Sequence, residues 1–149
     1  MKYLLFFLLF SSFSLSQKLY NPMADAKKDI DNALQKAKSE NKNVILQVGG
    51  NWCSWCILFD KYINENEKIK VTKNSHFIYY HLNYSKENKN EILMKKYNNP
   101  GRFGYPVLLV LNQNGDLIHT QDTGYLEDGK GYNEEKVLRF FENWKPEVF

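Results

Sequence analysis

The segment from Val44 to Cys56, Val-Ile-Leu-Gln-Val-Gly-Gly-Asn-Trp-Cys-Ser-Trp-Cys, constrains this chain more than any other. A short, β-branched, mostly apolar run of the kind found in buried central strands breaks at Gly49-Gly50. It delivers the chain to its 2 cysteines, Cys53 and Cys56. Ile57, Phe59, Tyr62 and Ile63 then recur at helical spacing to about Asn64. The first cysteine is therefore expected at a helix N-terminus and the second one turn inside it. Two cysteines so spaced can close a small disulfide ring, bind a soft metal, or alternate between dithiol and disulfide. They cannot build a cysteine-stapled framework.

The expected placement carries chemistry. A helix N-terminus offers unpaired N–H groups and a positive dipole end, which stabilise a thiolate and lower its pKa below the usual value of about 8.5. Cys53 is thus read as the nucleophile, exposed at the strand-to-helix turn, and Cys56 as the resolving thiol, turned inward. A mixed disulfide on Cys53 would be attacked by Cys56, releasing the partner and closing the ring.

The remaining elements read as a frame for this turn. Ala24, Ala26, Ile30, Ala33, Leu34 and Ala37 mark an amphipathic cover helix, with Pro22 in its first turn and Asn41-Lys42-Asn43 ending it. Glu67 to Lys73 reads as a short, weak helical turn, Phe77 to Leu82 as a strand, Ser85 to Asn90 as a polar loop and Glu91 to Tyr97 as a helix stopped by Asn98-Asn99-Pro100-Gly101. Val107 to Leu111 reads as a buried strand, and the Asn-Gly turn at 114–115 returns Leu117 to Thr120 antiparallel to it. Gly124 to Gly131 reads as a polar loop, and Glu134 to Trp144 as an amphipathic closing helix.

At the N-terminus, Met1-Lys2, the apolar run Tyr3 to Phe10 and the small, polar Ser11 to Ser16 form the pattern of a secretory signal peptide, cut after Ser16. The alternative is an uncleaved signal anchor, but the run is shorter than the roughly 20 residues of a membrane span, which favours cleavage and leaves no stable span afterwards. Residues 17–149 are then expected to form one domain, for which 149 residues with 43% hydrophobic content suffice. An extracytoplasmic location follows, with the bacterial periplasm favoured because the C-terminus, Lys145 to Phe149, has no Lys-Asp-Glu-Leu-type retention signal. A net charge of +3, with lysines mixed among acidic residues, argues against nucleic acid as a partner.

Trp52-Cys53-Ser54-Trp55-Cys56 between strand and helix, followed by Gly104-Tyr105-Pro106 entering a strand that ends in an Asn-Gly hairpin, resembles the thioredoxin superfamily. The leading helix with Ala33, Ala37 and Lys38, followed by Lys42-Asn43-Val44, is more similar to its exported thioredoxin-like branch. The resemblance covers about Ala24 to Trp144. It implies an α/β fold with a central mixed four-stranded sheet flanked by helices on both faces. It implies that Cys53 attacks, Cys56 resolves, Trp52 shields the pair and Pro106 is cis. Tyr105 would then present its backbone beside Cys53 to an extended substrate by strand addition, and Trp55 would narrow access or stack on a peptide. Cysteine-containing proteins are the implied substrates and a redox partner the implied recycler, with no cofactor and no metal in the site.

Two positions depart from the family pattern. Gln47 stands where cytosolic-type relatives carry a buried Asp, and His81 where they carry a Lys. Gln cannot act as a base, whereas His81, with an ordinary pKa of about 6.5, can transfer protons or simply satisfy a polar strand edge. Ile57 replaces the cation that often follows the second cysteine. The leading expectation is an exported thiol–disulfide oxidoreductase, with a slight preference for reductase because no His lies between the cysteines. The alternatives are a Cu(I)-binding dithiolate and a non-catalytic interaction domain using aromatic loops around Tyr105 and Tyr125.

Overall fold

A computed structural model of the protein describes residues 18–147. The signal-peptide assignment to residues 1–16 lies outside the described residues. Four strands form one sheet in the order β2-β1-β3-β4, with β1 Asn43–Gly49, β2 Phe77–Asn83, β3 Val107–Leu111 and β4 Leu117–Asp122. β1 runs parallel to β2 and antiparallel to β3, and β4 is antiparallel to β3. Every residue of β1 and β3 is buried, as the two apolar runs require of central strands covered on both faces.

The period of two along these strands sorts the side chains between two cores. Val44, Leu46 and Val48 of β1, with Val107, Leu109 and Leu111 of β3, meet α1 (Ala26–Glu40) and α4 (Glu91–Lys96) on one face. Ile45, Leu108 and Val110 meet α2 (Ser54–Glu65), α3 (Glu67–His76) and α5 (Glu134–Trp144) on the other. Phe59 and Ile63 of α2 and Val137, Phe140 and Phe141 of α5 are buried there. Each such side chain contributes about 1.5–3 kcal/mol by leaving water. The face is thereby closed around Gln47, which points into it.

Three regions differ from the sequence expectation. The segment after Asn66 is a full ten-residue helix, α3, not a weak turn: the Asn66 side chain accepts from the Ile69 N–H, Ile69 is buried, and the half-apolar Lys73 stem is buried with its amine donating to Asn64 at 2.6 Å. Pro22 lies ahead of α1, which instead starts from an Asp25 cap accepting from the Lys28 N–H. The segment expected as a polar loop at 124–131 is instead taken up by a 3₁₀ turn, Thr123–Leu126, and a two-stranded hairpin of β5 Glu127–Asp128 and β6 Gly131–Tyr132. Leu126 and Tyr132 at its base are core residues, and the Thr123 hydroxyl donates to the Pro106 carbonyl at 2.6 Å.

Candidate active site

The end of β1 and the start of α2 place the cysteines as the segment predicts. Cys53 is the N-cap residue of α2, its sulfur accepting from the Cys56 N–H at 3.1 Å, and its carbonyl accepts from the N–H groups of Cys56 and Ile57. Cys53 and Cys56 form a disulfide with their Cα atoms 5.2 Å apart. Cys56 is fully buried and Cys53 retains only 6% exposure, so the expected open exposure of Cys53 is corrected. The cover is Leu19 and Tyr20, ahead of α1, together with Trp55 and Tyr105.

The Tyr105–Pro106 peptide is cis, and Tyr105 packs against the cysteine cluster. Trp52 meets the Tyr105 ring edge-on at 5.4 Å between centroids, and Tyr84 stacks on the same ring at 5.3 Å. The Trp52 indole N–H donates to the Tyr84 carbonyl at 2.7 Å, which holds the half-exposed indole in place. Burial pushes the Tyr105 phenol up to about 12. Trp55 turns the other way, edge-on to Tyr132 at 5.6 Å, and is partly buried between the cysteine cluster and the α2–α5 core. Beside Trp52 opens a groove of about 620 Å³ lined by Asn51, Tyr84, Lys18, Lys86 and Lys89, with Glu87 as its acidic member.

Beneath the disulfide lies a polar cluster that the sequence does not announce. The Gln47 amide donates to the Tyr20 hydroxyl oxygen at 2.6 Å and to the Cys56 carbonyl at 3.1 Å, and its carbonyl accepts from the Tyr79 hydroxyl at 2.7 Å. The amide orientation is unambiguous, because a main-chain carbonyl can only accept. Burial raises the pKa of both Tyr20 and Tyr79, so the cluster is neutral. Asn51 clamps Tyr20 from the loop before Trp52, accepting from its N–H at 3.0 Å and donating to its carbonyl at 2.7 Å. His81 pairs with Asp60 of α2 at 2.8 Å and lies edge-on to Tyr20 and Tyr79, with centroids 5.3 and 5.4 Å away. It thus stands behind Tyr20, within the same cluster. His119 is remote from this cluster, stacked on Trp144.

The structure therefore gathers Trp55 and Tyr105 around the Cys53–Cys56 pair, brings Trp52 and the cis Pro106 in through Tyr105, and sets His81 behind Tyr20. Tyr20, Asn51, Asp60 and Tyr79 are the residues that sequence reasoning missed. The one available signal was Leu19-Tyr20, an apolar pair stranded in a polar stretch ahead of α1. Among the described residues no group of three or more His, Cys, Asp or Glu side chains is gathered to hold a metal ion, and no helix is long and apolar enough to cross a membrane.

A disulfide across the first turn of a helix, at the end of a central strand and beside a cis-proline loop, defines a thiol–disulfide oxidoreductase of thioredoxin-like fold. The chain belongs to the thioredoxin-like family, whose profile matches residues 25–113. It is similar to a disulphide isomerase from Xylella fastidiosa Temecula1, with 26% identity and a TM-score of 0.75 over 86% of this chain and 97% of that one. The C-terminal domain of DsbD from Neisseria meningitidis, in its oxidised form, shares the fold at 18% identity and a TM-score of 0.60, over 82% of this chain and 97% of that one. Spermatogenesis-associated protein 20 of Mus musculus is 39% identical over 64 residues, which is 43% of this chain and 8% of that protein. The chain thus matches only a small part of that curated relative's length.

Proposed function

We propose that the protein is an exported oxidoreductase that exchanges disulfides with cysteine-containing proteins through Cys53 and Cys56, running preferentially as a reductase. The observation that carries this reading is the disulfide itself: one sulfur caps a helix and the other is buried behind it. In the reduced form the Cys53 thiolate, favoured by the helix N-terminus, attacks a substrate disulfide. The substrate S–S bond breaks, a mixed disulfide forms on Cys53, and one substrate sulfur leaves as thiolate. Cys56 then attacks Cys53, and the second substrate sulfur leaves as the ring closes. The substrate ends with two thiols and the protein with the disulfide seen here, which a redox partner must reduce again.

The substrate chain is held by the cis-proline loop at Tyr105-Pro106 and by Trp52, with Trp55 limiting approach from the α2 side. The groove next to Trp52 receives the polypeptide flanking the target cysteine. Similarity to the Xylella disulphide isomerase supports disulfide exchange as the chemistry. The charged, apolar and small-residue pattern of residues 1–16 supports export, and the bacterial periplasm is the proposed compartment.

The test is reduction of insulin disulfides under dithiothreitol, together with the redox potential of the pair. Wild type is expected to accelerate precipitation of the insulin B chain, and Cys53→Ser to fall to background. Cys56→Ser is expected to accumulate mixed disulfides. A potential near about −270 mV supports the reductase direction, and one near about −120 mV overturns it in favour of oxidation. Equal background rates for wild type and both variants would sink the enzyme reading.

A further inference from the structure

We infer that the Tyr20 hydroxyl is the hydrogen-bond donor for the sulfur of Cys56 when the pair is reduced, a task that falls to a residue ahead of the first helix. The inference rests on the oxidoreductase reading and deepens it.

Tyr20 is fully buried and packs directly on the cysteine pair. Its hydroxyl and the Cys56 sulfur border one small space above the Cα of Gly49: a side-chain carbon added there would collide with both. Gly49 therefore leaves both atoms bordering a space that the Cβ of any other residue would fill. The Tyr20 oxygen accepts an N–H from Gln47, whose carbonyl is already taken by the Tyr79 hydroxyl. The Tyr20 O–H hydrogen has no oxygen or nitrogen acceptor among the described residues. A buried donor without an acceptor is costly, and the Cys56 sulfur is the acceptor at hand.

In the disulfide that sulfur is a poor acceptor, and the Tyr20 hydroxyl makes no hydrogen bond to it. As Cys56 becomes a thiolate it is a strong one, so the interaction grows as the resolving nucleophile forms. Tyr20 keeps its own proton throughout, since burial holds its phenol above the ordinary tyrosine range. The proton lost by Cys56 goes to the substrate thiolate released in the first exchange. The Cys56 sulfur then bonds to the Cys53 sulfur, and the Cys53–substrate bond breaks. The other titratable groups facing this space are Tyr79 and His81 from β2, Asp60 from α2 and Tyr132 from β6, with Lys73 of α3 over the Tyr79 ring. Among the described residues none of them makes a hydrogen bond to either sulfur.

The experiment measures the pKa of Cys56 by thiolate absorbance in a Cys53→Ser protein, with and without Tyr20→Phe. The phenyl ring preserves the packing, so loss of the hydroxyl alone is expected to raise the Cys56 pKa by about one unit, a roughly tenfold drop in thiolate at a fixed pH. The pKa of Cys53, measured in a Cys56→Ser protein, is expected to stay where it is when Tyr20→Phe is added. Asn51→Ala, which frees the Tyr20 main chain, is expected to raise the Cys56 pKa in the same direction and serves if Tyr20→Phe does not fold. An unchanged Cys56 pKa in the folded variant, or equal shifts at both cysteines, overturns the assignment. Equilibration of the wild-type pair in glutathione buffers separates the two failures. A pair that forms its disulfide there while Cys56 ignores Tyr20 refutes this inference alone, and a pair that never forms it refutes the oxidoreductase reading.

Discussion

The two sides of the Cys53–Cys56 ring are held by different physics. Outside, Trp52, Tyr105 and Tyr84 make a wall of edge-on and stacked rings, and Trp52 remains 58% exposed. Inside, Gln47, Tyr20 and Tyr79 make a neutral cluster in which each polar group depends on another buried one. Aromatic contacts on the wall are worth about 0.5–1.5 kcal/mol each and can be lost singly. A buried polar cluster fails as a unit, because removing one member strands the partners it leaves behind. The outer side is therefore free to serve recognition, and the inner side carries stability and the behaviour of the buried sulfur.

The sharpest way to break this contrast is Gln47→Leu. It leaves the Tyr20 and Tyr79 hydroxyls without their amide partner, and a loss of about 3 kcal/mol or more in urea unfolding is expected. A loss under about 1 kcal/mol would mean that water or a rearranged side chain replaces the amide. Trp52→Ala should behave oppositely: stability falls by about 1 kcal/mol or less, while exchange with a protein substrate slows about threefold to tenfold. Comparing that rate with the rate for a small disulfide checks the division, since a recognition wall should matter only for the protein.

The smallest effect is in alkali. Burial raises the folded pKa of Tyr20 and Tyr79 above the unfolded value of about 10. Their contribution is fully present below about pH 10 and is lost as pH climbs toward the folded values, because only the unfolded phenols ionise there. Stability should fall on that rise, and Tyr20→Phe should fall less steeply, by under about 1 kcal/mol just past pH 10. Equal slopes would mean that Tyr20 is not shielded from solvent.

Much of the outer side was legible in the chain. Cys53 at the helix cap, Cys56 one turn on and a cis bond before Pro106 follow from a local pattern together with its resemblance. Gln47 was conspicuous as a polar residue in an apolar strand, yet its partners were not readable, because they come from three separate segments. His81 was readable as the neighbour of Gln47 across the sheet, where the register pairs the two. Its bond to Asp60 was not. The helix after Asn66 was underestimated for a similar reason: its weak pattern is supported by tertiary burial of Ile69 and Lys73.

The amino-acid sequence by itself determined the strand, the glycine break and the dithiol at a helix start, since spacing and backbone preference act over a few residues. Only the tertiary structure decided what the disulfide rests on. Tyr20 reaches it because Asn51 grips its main chain, and Gly49 leaves room for its hydroxyl beside the buried sulfur. Contacts between segments 31 residues apart depend on how packed surfaces meet, and no local periodicity records them.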